Sequence, residues 1–220
     1  MAKNLSKYVV GETKVSIVDQ DGSTHLNVYS FGKTELGRLL SNFSISNTET
    51  ALGRFMTLEG LYHVLRIADY FVSVGLARGY DWDELLNLCP ELAQLQRCTG
   101  AEAISKGRLL KKKIYGGTKY KPGCFSATAG FIFHSALVTK LAQIKIGERA
   151  IGNVVSEYLC GGGQLTHYYV YNTKVTWPPF FEWLPELIAR CAVCIDPYGS
   201  EVDVDAVINE IRGDYDGAVG

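Results

Sequence analysis

From Met56 onward, apolar residues recur at Leu58, Leu61, Tyr62, Leu65, Ile67, Ala68, Phe71 and Val72, the spacing of one buried helix face. Thr57 stands before this run and can cap it. Upstream the period is two. Tyr8-Val9-Val10, Val15-Ser16-Ile17-Val18 and His25-Leu26-Asn27-Val28-Tyr29-Ser30-Phe31 alternate, with Asp19-Gln20-Asp21-Gly22 as a turn before the last run. Residues 7–31 therefore predict a β-hairpin or meander. Glycines between Gly32 and Gly37 lead into Leu39-Leu40-Ser41-Asn42-Phe43-Ser44-Ile45, and residues 47–53 read as polar loop.

Downstream, helical spacing predicts a helix over residues 83–96. Thr99-x-x-Glu102 matches a capping box and opens another helix that continues to Leu110. Residues 111–123 hold Lys111, Lys112, Lys113, Lys119 and Lys121 among two tyrosines and three glycines, and read as an exposed basic loop. Residues 126–143 return to helical spacing through Phe131, Ala136, Leu137 and Leu141. Gly161-Gly162-Gly163 breaks the chain before a β-like run, His167-Tyr168-Tyr169-Val170-Tyr171. Pro178-Pro179 can open a helix reaching Ile188 or Cys194, and Asp203 can cap a short final one. The predicted class is α+β, with a small N-terminal β-sheet packed against a predominantly helical body. We expect a single domain over residues 1–220, with a strand extension at 1–25 and a peripheral C-terminal segment at 195–220.

Length and composition agree with one globular domain: 220 residues, 47% of them hydrophobic. The 22 Lys+Arg against 23 Asp+Glu give a net charge of −1, too little bulk field for wrapping duplex DNA. No run approaches the roughly 18 consecutive apolar residues of a membrane helix. The start, Met1-Ala2-Lys3-Asn4-Leu5-Ser6-Lys7, lacks the apolar core of a signal peptide, so the expected location is cytoplasmic, without membrane partners. Reduced thiols then suit the six cysteines. Cys191-Ala192-Val193-Cys194 matches C-x-x-C without a second pair, and the four histidines show no ligand spacing, so no metal or cofactor is expected.

Three features could carry chemistry. The Gly161 triplet could bring backbone amides to a phosphate. The basic stretch, with Tyr115 and Tyr120, suits a phosphate-bearing ligand or single-stranded nucleic acid, and equally a solvated helix end. Glu59, two residues after the cap, falls in a helix's first turn, where a carboxylate is favoured by the dipole.

Several segments taken together resemble a family. Leu26-Asn27-Val28-Tyr29-Ser30, then Gly37-x-Leu39-Leu40-Ser41-Asn42-Phe43, then Gly53-Arg54-Phe55-Met56-Thr57-Leu58-Glu59 with its helix are similar to the NADAR (NAD and ADP-ribose, also called YbiA-like) superfamily of N-glycosidases. Thr99-Gly100-Ala101-Glu102-Ala103 to Gly107-Arg108 resembles its Ala-x-x-x-Gly-Arg helix, and Ala136-Leu137-x-x-Lys140 its Ala-Leu-x-x-Lys-Phe signature. The resemblance covers residues 26–160. Gly60 stands where the family has a histidine after the glutamate, Phe125 where it has a tryptophan, and its late Trp-Gly-Asp-Gly segment has no clean match.

The resemblance implies cleavage of the C–N glycosidic bond of an ADP-ribosyl or related nucleotide substrate, free or attached to a nucleobase. Glu59 would stabilise oxocarbenium charge or position water. Lys33 or Lys111 could instead trap the ring-opened aldehyde as a Schiff base, a role that needs an amine of lowered pKa. Glu157, before the Gly161 triplet, would stand for the second acidic site. Ser41 and Asn42 would meet ribose or base, Phe43 or Tyr29 would stack on a base, and Arg108 would pair with phosphate. The alternatives are a catalytically silent ADP-ribose or NAD binder, and a nucleic-acid interaction module using residues 111–121.

Overall fold

The computed structural model describes residues 15–116, 125–171, 174–178 and 182–216. In chain order the elements are α1 (Val15–Gln20), β1 (Leu26–Asn27), α2 (Glu35–Leu40), β2 (Ile45–Thr50), β3 (Gly53–Thr57), α3 (Leu58–Ser73), α4 (Trp82–Leu88), α5 (Leu92–Leu95) and α6 (Gly100–Tyr115). They continue with α7 (Ala127–Gln143), β4 (Lys145–Ile146), β5 (Arg149–Ala150), α8 (Ile151–Cys160), β6 (Leu165–Thr166), β7 (Tyr169–Tyr171), β8 (Lys174–Thr176), α9 (Trp183–Val193) and α10 (Val204–Asp216). Helix dominates and the strands form two-stranded pairings, so the mixed α and β class is as expected. No helix among the described residues is long and apolar enough to cross a membrane. The chain divides into two compact units, one from residues up to Ser41 with Ile144–Val207, the other from Asn42–Gln143 with residues from Ile208 on.

The second unit is built around α3. Thr57 takes the N-cap: its hydroxyl accepts from Gly60 N at 3.3 Å and donates to the Cys98 carbonyl at 3.1 Å. Leu58, Leu61, Val64, Leu65 and Ala68 of α3 are buried, as are Ala103 of α6 and Phe133, Leu137 and Leu141 of α7, and α3 packs on both of those helices. The capping box at Thr99 and Glu102 forms in full. The helix it opens runs past Leu110 to Tyr115 and stops at Gly116, whose φ of +55° is left-handed. Lys111, Lys112 and Lys113 are thus helical, and the basic-loop expectation is corrected there: last-turn cations complement the dipole, and Gly116 supplies the stop. Lys119 and Lys121 lie outside the described residues.

Two further expectations fail in this unit. The helix over residues 83–96 is two, α4 and α5, because Pro90 has no N–H for a continuing ladder and disfavours helix at Cys89 before it. The polar loop at 47–53 is the antiparallel β2–β3 hairpin, turned at Gly53 with φ +88°. Its first strand buries only Thr48 among polar neighbours, so no apolar alternation marks it.

The first unit corrects the predicted N-terminal sheet. Val15–Gln20 is helical, and Tyr8-Val9-Val10 lies outside the described residues. β1 pairs in parallel with β6, Leu26 against Leu165 and Asn27 against Thr166. The expected hairpin turn is used otherwise: the buried Asp21 carboxylate accepts from Asn27 N at 2.9 Å and Lys33 N at 2.8 Å, which ties the loops on both sides of β1. Ile17 packs with Tyr168 and Val175, and β7 pairs antiparallel with β8. The break after α8 at Gly161 is as expected. α9 starts at Trp183 rather than at Pro178-Pro179, of which Pro179 lies outside the described residues. Asp203 caps α10 by accepting from Ala206 N at 3.0 Å.

Candidate functional site

Glu59, Tyr62, His63 and Arg66 occupy positions i, i+3, i+4 and i+7 of α3, and so share one helix face. The start of that face is fixed by the Thr57 cap and by Glu59 N, which donates to the Asn42 carbonyl at 3.0 Å. The Glu59 carboxylate approaches His63, with Oε1 to Nε2 at 3.3 Å; the two side chains are 14% and 5% exposed. Opposite them, α6 contributes Gly107 and Lys111. A Cβ on Gly107 would stand 2.3 Å from the His63 ring, so only glycine leaves that ring its seat. Gly107→Ala should cost about 1–3 kcal/mol of unfolding free energy in a denaturant titration, the usual cost of overpacking a core. An unchanged midpoint would mean the ring has another place to go.

The cations of the site lie against aromatic rings. The Arg66 guanidinium carbon is 5.3 Å from the Phe125 ring centre and 6.0 Å from that of Tyr62, and Lys111 Nζ is 6.0 Å from the Tyr62 ring. Tyr62 in turn meets Phe125 edge-on at 5.4 Å. Phe125 is held by its neighbour Ser126, whose hydroxyl donates to Asp69 Oδ1 at 2.7 Å; Tyr80 donates to the same carboxylate. Burial holds the Lys111 ammonium below its ordinary range; Arg66 pushes the same way, Glu59 opposes, and Arg108 adds a smaller push downward. Burial raises the Tyr62 phenol, with Arg66 opposing and Glu59 assisting. Three buried polar atoms here have no hydrogen-bond partner among the described residues: Asn42 Oδ1 and both ring nitrogens of His63. An open hollow of about 430 Å³ elsewhere in the unit, lined by Gln94, Gln96, Arg97, Glu102 and Lys106, includes none of these residues.

Of the residues singled out from sequence, Asn42, Phe43, Glu59, Arg108 and Lys111 belong to this unit. Phe43 lies with its ring against Gly100 at the start of α6, where an added Cβ would be 2.3 Å away. Arg108 is exposed. The others belong to the first unit. There the Tyr29 ring meets Phe31 at 5.6 Å and Tyr169 at 5.2 Å. Lys33 is exposed and its amine donates to the Asp19 carbonyl at 3.1 Å. Ser41 is buried and ends α2. Glu157, also exposed, forms an ion pair with Arg149 at 2.6 Å.

His63 and Arg66 do not stand out as site residues in the sequence, and Tyr62 reads there as core. The signal that finds them is the helical continuation from Glu59 at +3, +4 and +7. Among the described residues no three His, Cys, Asp or Glu side chains are grouped to hold a metal ion. No protein-family model matches the chain, and no curated protein or solved structure matches it.

Proposed function

We propose that the chain is an N-glycosidase that hydrolyses the C–N glycosidic bond of an ADP-ribosyl or related nucleotide, with Glu59 beside the anomeric carbon. The observation that carries this reading is a largely buried carboxylate set among cations: Lys111 and Arg66 act on one another's charge beside it, and Arg108 lies one turn before Lys111. A nucleotide sugar presents that combination in reverse, with phosphates for the cations and a sugar centre that becomes positive as the C–N bond breaks. Asn42 Oδ1, a buried acceptor without a donor among the described residues, suits a ribose hydroxyl. As the bond lengthens, its electron pair leaves with the nitrogen. Glu59 stabilises the oxocarbenium charge and takes a proton from the water that adds to the anomeric carbon. That proton is returned to the departing nitrogen.

For Schiff-base trapping Lys111 is favoured over the exposed Lys33, because burial lowers the Lys111 amine and the Glu59 carboxylate is near it. In that case the amine adds to the ring-opened aldehyde with loss of water, and borohydride reduction leaves a stable adduct on Lys111. The nucleic-acid reading has less support, because Lys113 is engaged with Glu91 at 2.5 Å. That contact holds the Glu91 carboxyl at about 2.

Chromatography of products after incubation with ADP-ribosylated guanine nucleotides, NAD and a riboflavin-pathway intermediate tests the proposal. Free base released from at least one is the expected outcome. Calorimetric binding of ADP-ribose with no product over hours would instead make the protein a silent binder.

A further inference from the structure

Gly60 leaves Glu59 without an adjacent imidazole in the sequence, yet the fold brings one to it. His63, one turn along α3, is 95% removed from solvent as a side chain, with its Nε2 3.3 Å from Glu59 Oε1. That contact lies off the line of a formed hydrogen bond, and neither ring nitrogen has another partner among the described residues. A buried N–H without an acceptor is costly, and Glu59 Oε1, at 3.3 Å, is the acceptor that stands beside this one. The seat is specific. Gly107 admits the ring where any Cβ would collide, and Tyr62 covers it edge-on at 5.4 Å.

We infer that His63 is the positioning residue of the Glu59 carboxylate: the neutral ring donates Nε2–H to Oε1 and keeps Nδ1 as a bare acceptor. One carboxylate oxygen is then tied, and Oε2 is left to face the reacting centre. Lys111 and Arg66 supply positive charge near this carboxylate, so the ring's contribution is direction rather than charge. The catalytic consequence rests on the glycosidase reading above. The pairing itself does not.

Two measurements separate them. The first is ¹⁵N NMR of the histidine rings at pH 7.5, with the His63 signals assigned by their loss in His63→Gln. The Nε2–H tautomer is expected in the wild type, and a shift toward a tautomer mixture in Glu59→Ala. A ring protonated at Nδ1, or one that Glu59→Ala leaves unchanged, overturns the inference. The second is turnover. His63→Gln, whose amide can donate from the same position, should keep kcat within about threefold, while His63→Leu should lower it about 100-fold with little change in KM. Leucine matching glutamine would reduce His63 to a space-filler and overturn the positioning role. If the wild type releases no base from any of the three substrates, the glycosidase reading fails, and the tautomer result still decides the pairing.

Discussion

Glu59→Gln should lower the rate of base release by about 10²–10⁴-fold while leaving the folded state as it is. Glutamine keeps an oxygen where Oε1 stands and fills the same volume on α3. What it removes is the negative charge that the oxocarbenium centre needs and the site for the proton taken from water. KM should move little, because Lys111 and Arg66, which would meet the phosphates, are untouched. Their balance does shift. Glu59 is what raises the Lys111 ammonium against the downward push of burial and Arg66, so in the variant that amine becomes neutral still more readily. A Schiff-base route through Lys111 would therefore lose less in Glu59→Gln than a water route does. Product release by chromatography, beside circular dichroism to verify the fold, gives the answer. Unchanged turnover would remove Glu59 from the chemistry.

The helices that carry the site were legible because their signals are local. Thr57 and Thr99 cap within three residues of themselves, and the apolar spacing of α3 and α7 is set along the helix, whatever it packs on. Glu59 could be placed in a first turn for the same reason. The first unit reads poorly because its pairing is long-range. β1 is completed by β6, far along the chain, and Asp21 spends its carboxylate on two backbone amides rather than on a hairpin turn. Val15–Val18, despite its alternation, is helical, and Ile17 is buried against Tyr168 from far along the chain. His63 shows the same limit at the scale of one side chain. No histidine motif announces it, and its seat is an absence of atoms at Gly107, on another helix. Gly107 stands out in the sequence only through the family resemblance, while its reason, a ring that needs the space of a Cβ, is three-dimensional.

Stability of the second unit should climb by about 2 kcal/mol between pH 7 and pH 9 on account of Lys140 alone. Lys140 is fully buried in α7, within the Ala136-Leu137-x-x-Lys140 segment, and that burial pushes its ammonium from the ordinary 10.5 down to about 7. Between those values the unfolded chain holds a proton on Lys140 that the native state does not, so raising the pH removes the advantage of unfolding. The gain grows through the window above pH 7 and levels off near 10.5. Below pH 7 the lysine is protonated in both states and its contribution to the slope vanishes. Other groups of this unit act against the trend higher up: burial raises the Cys89 and Cys98 thiols and the Tyr62 phenol, and each of these favours unfolding as alkali ionises the unfolded chain first. The comparison that isolates Lys140 is therefore a difference, urea unfolding of the wild type and of Lys140→Met at pH 7 and pH 9. Methionine has nearly the length of lysine and no charge, so the variant should lose the increase. Equal slopes in the two proteins would mean that Lys140 keeps its proton in the core.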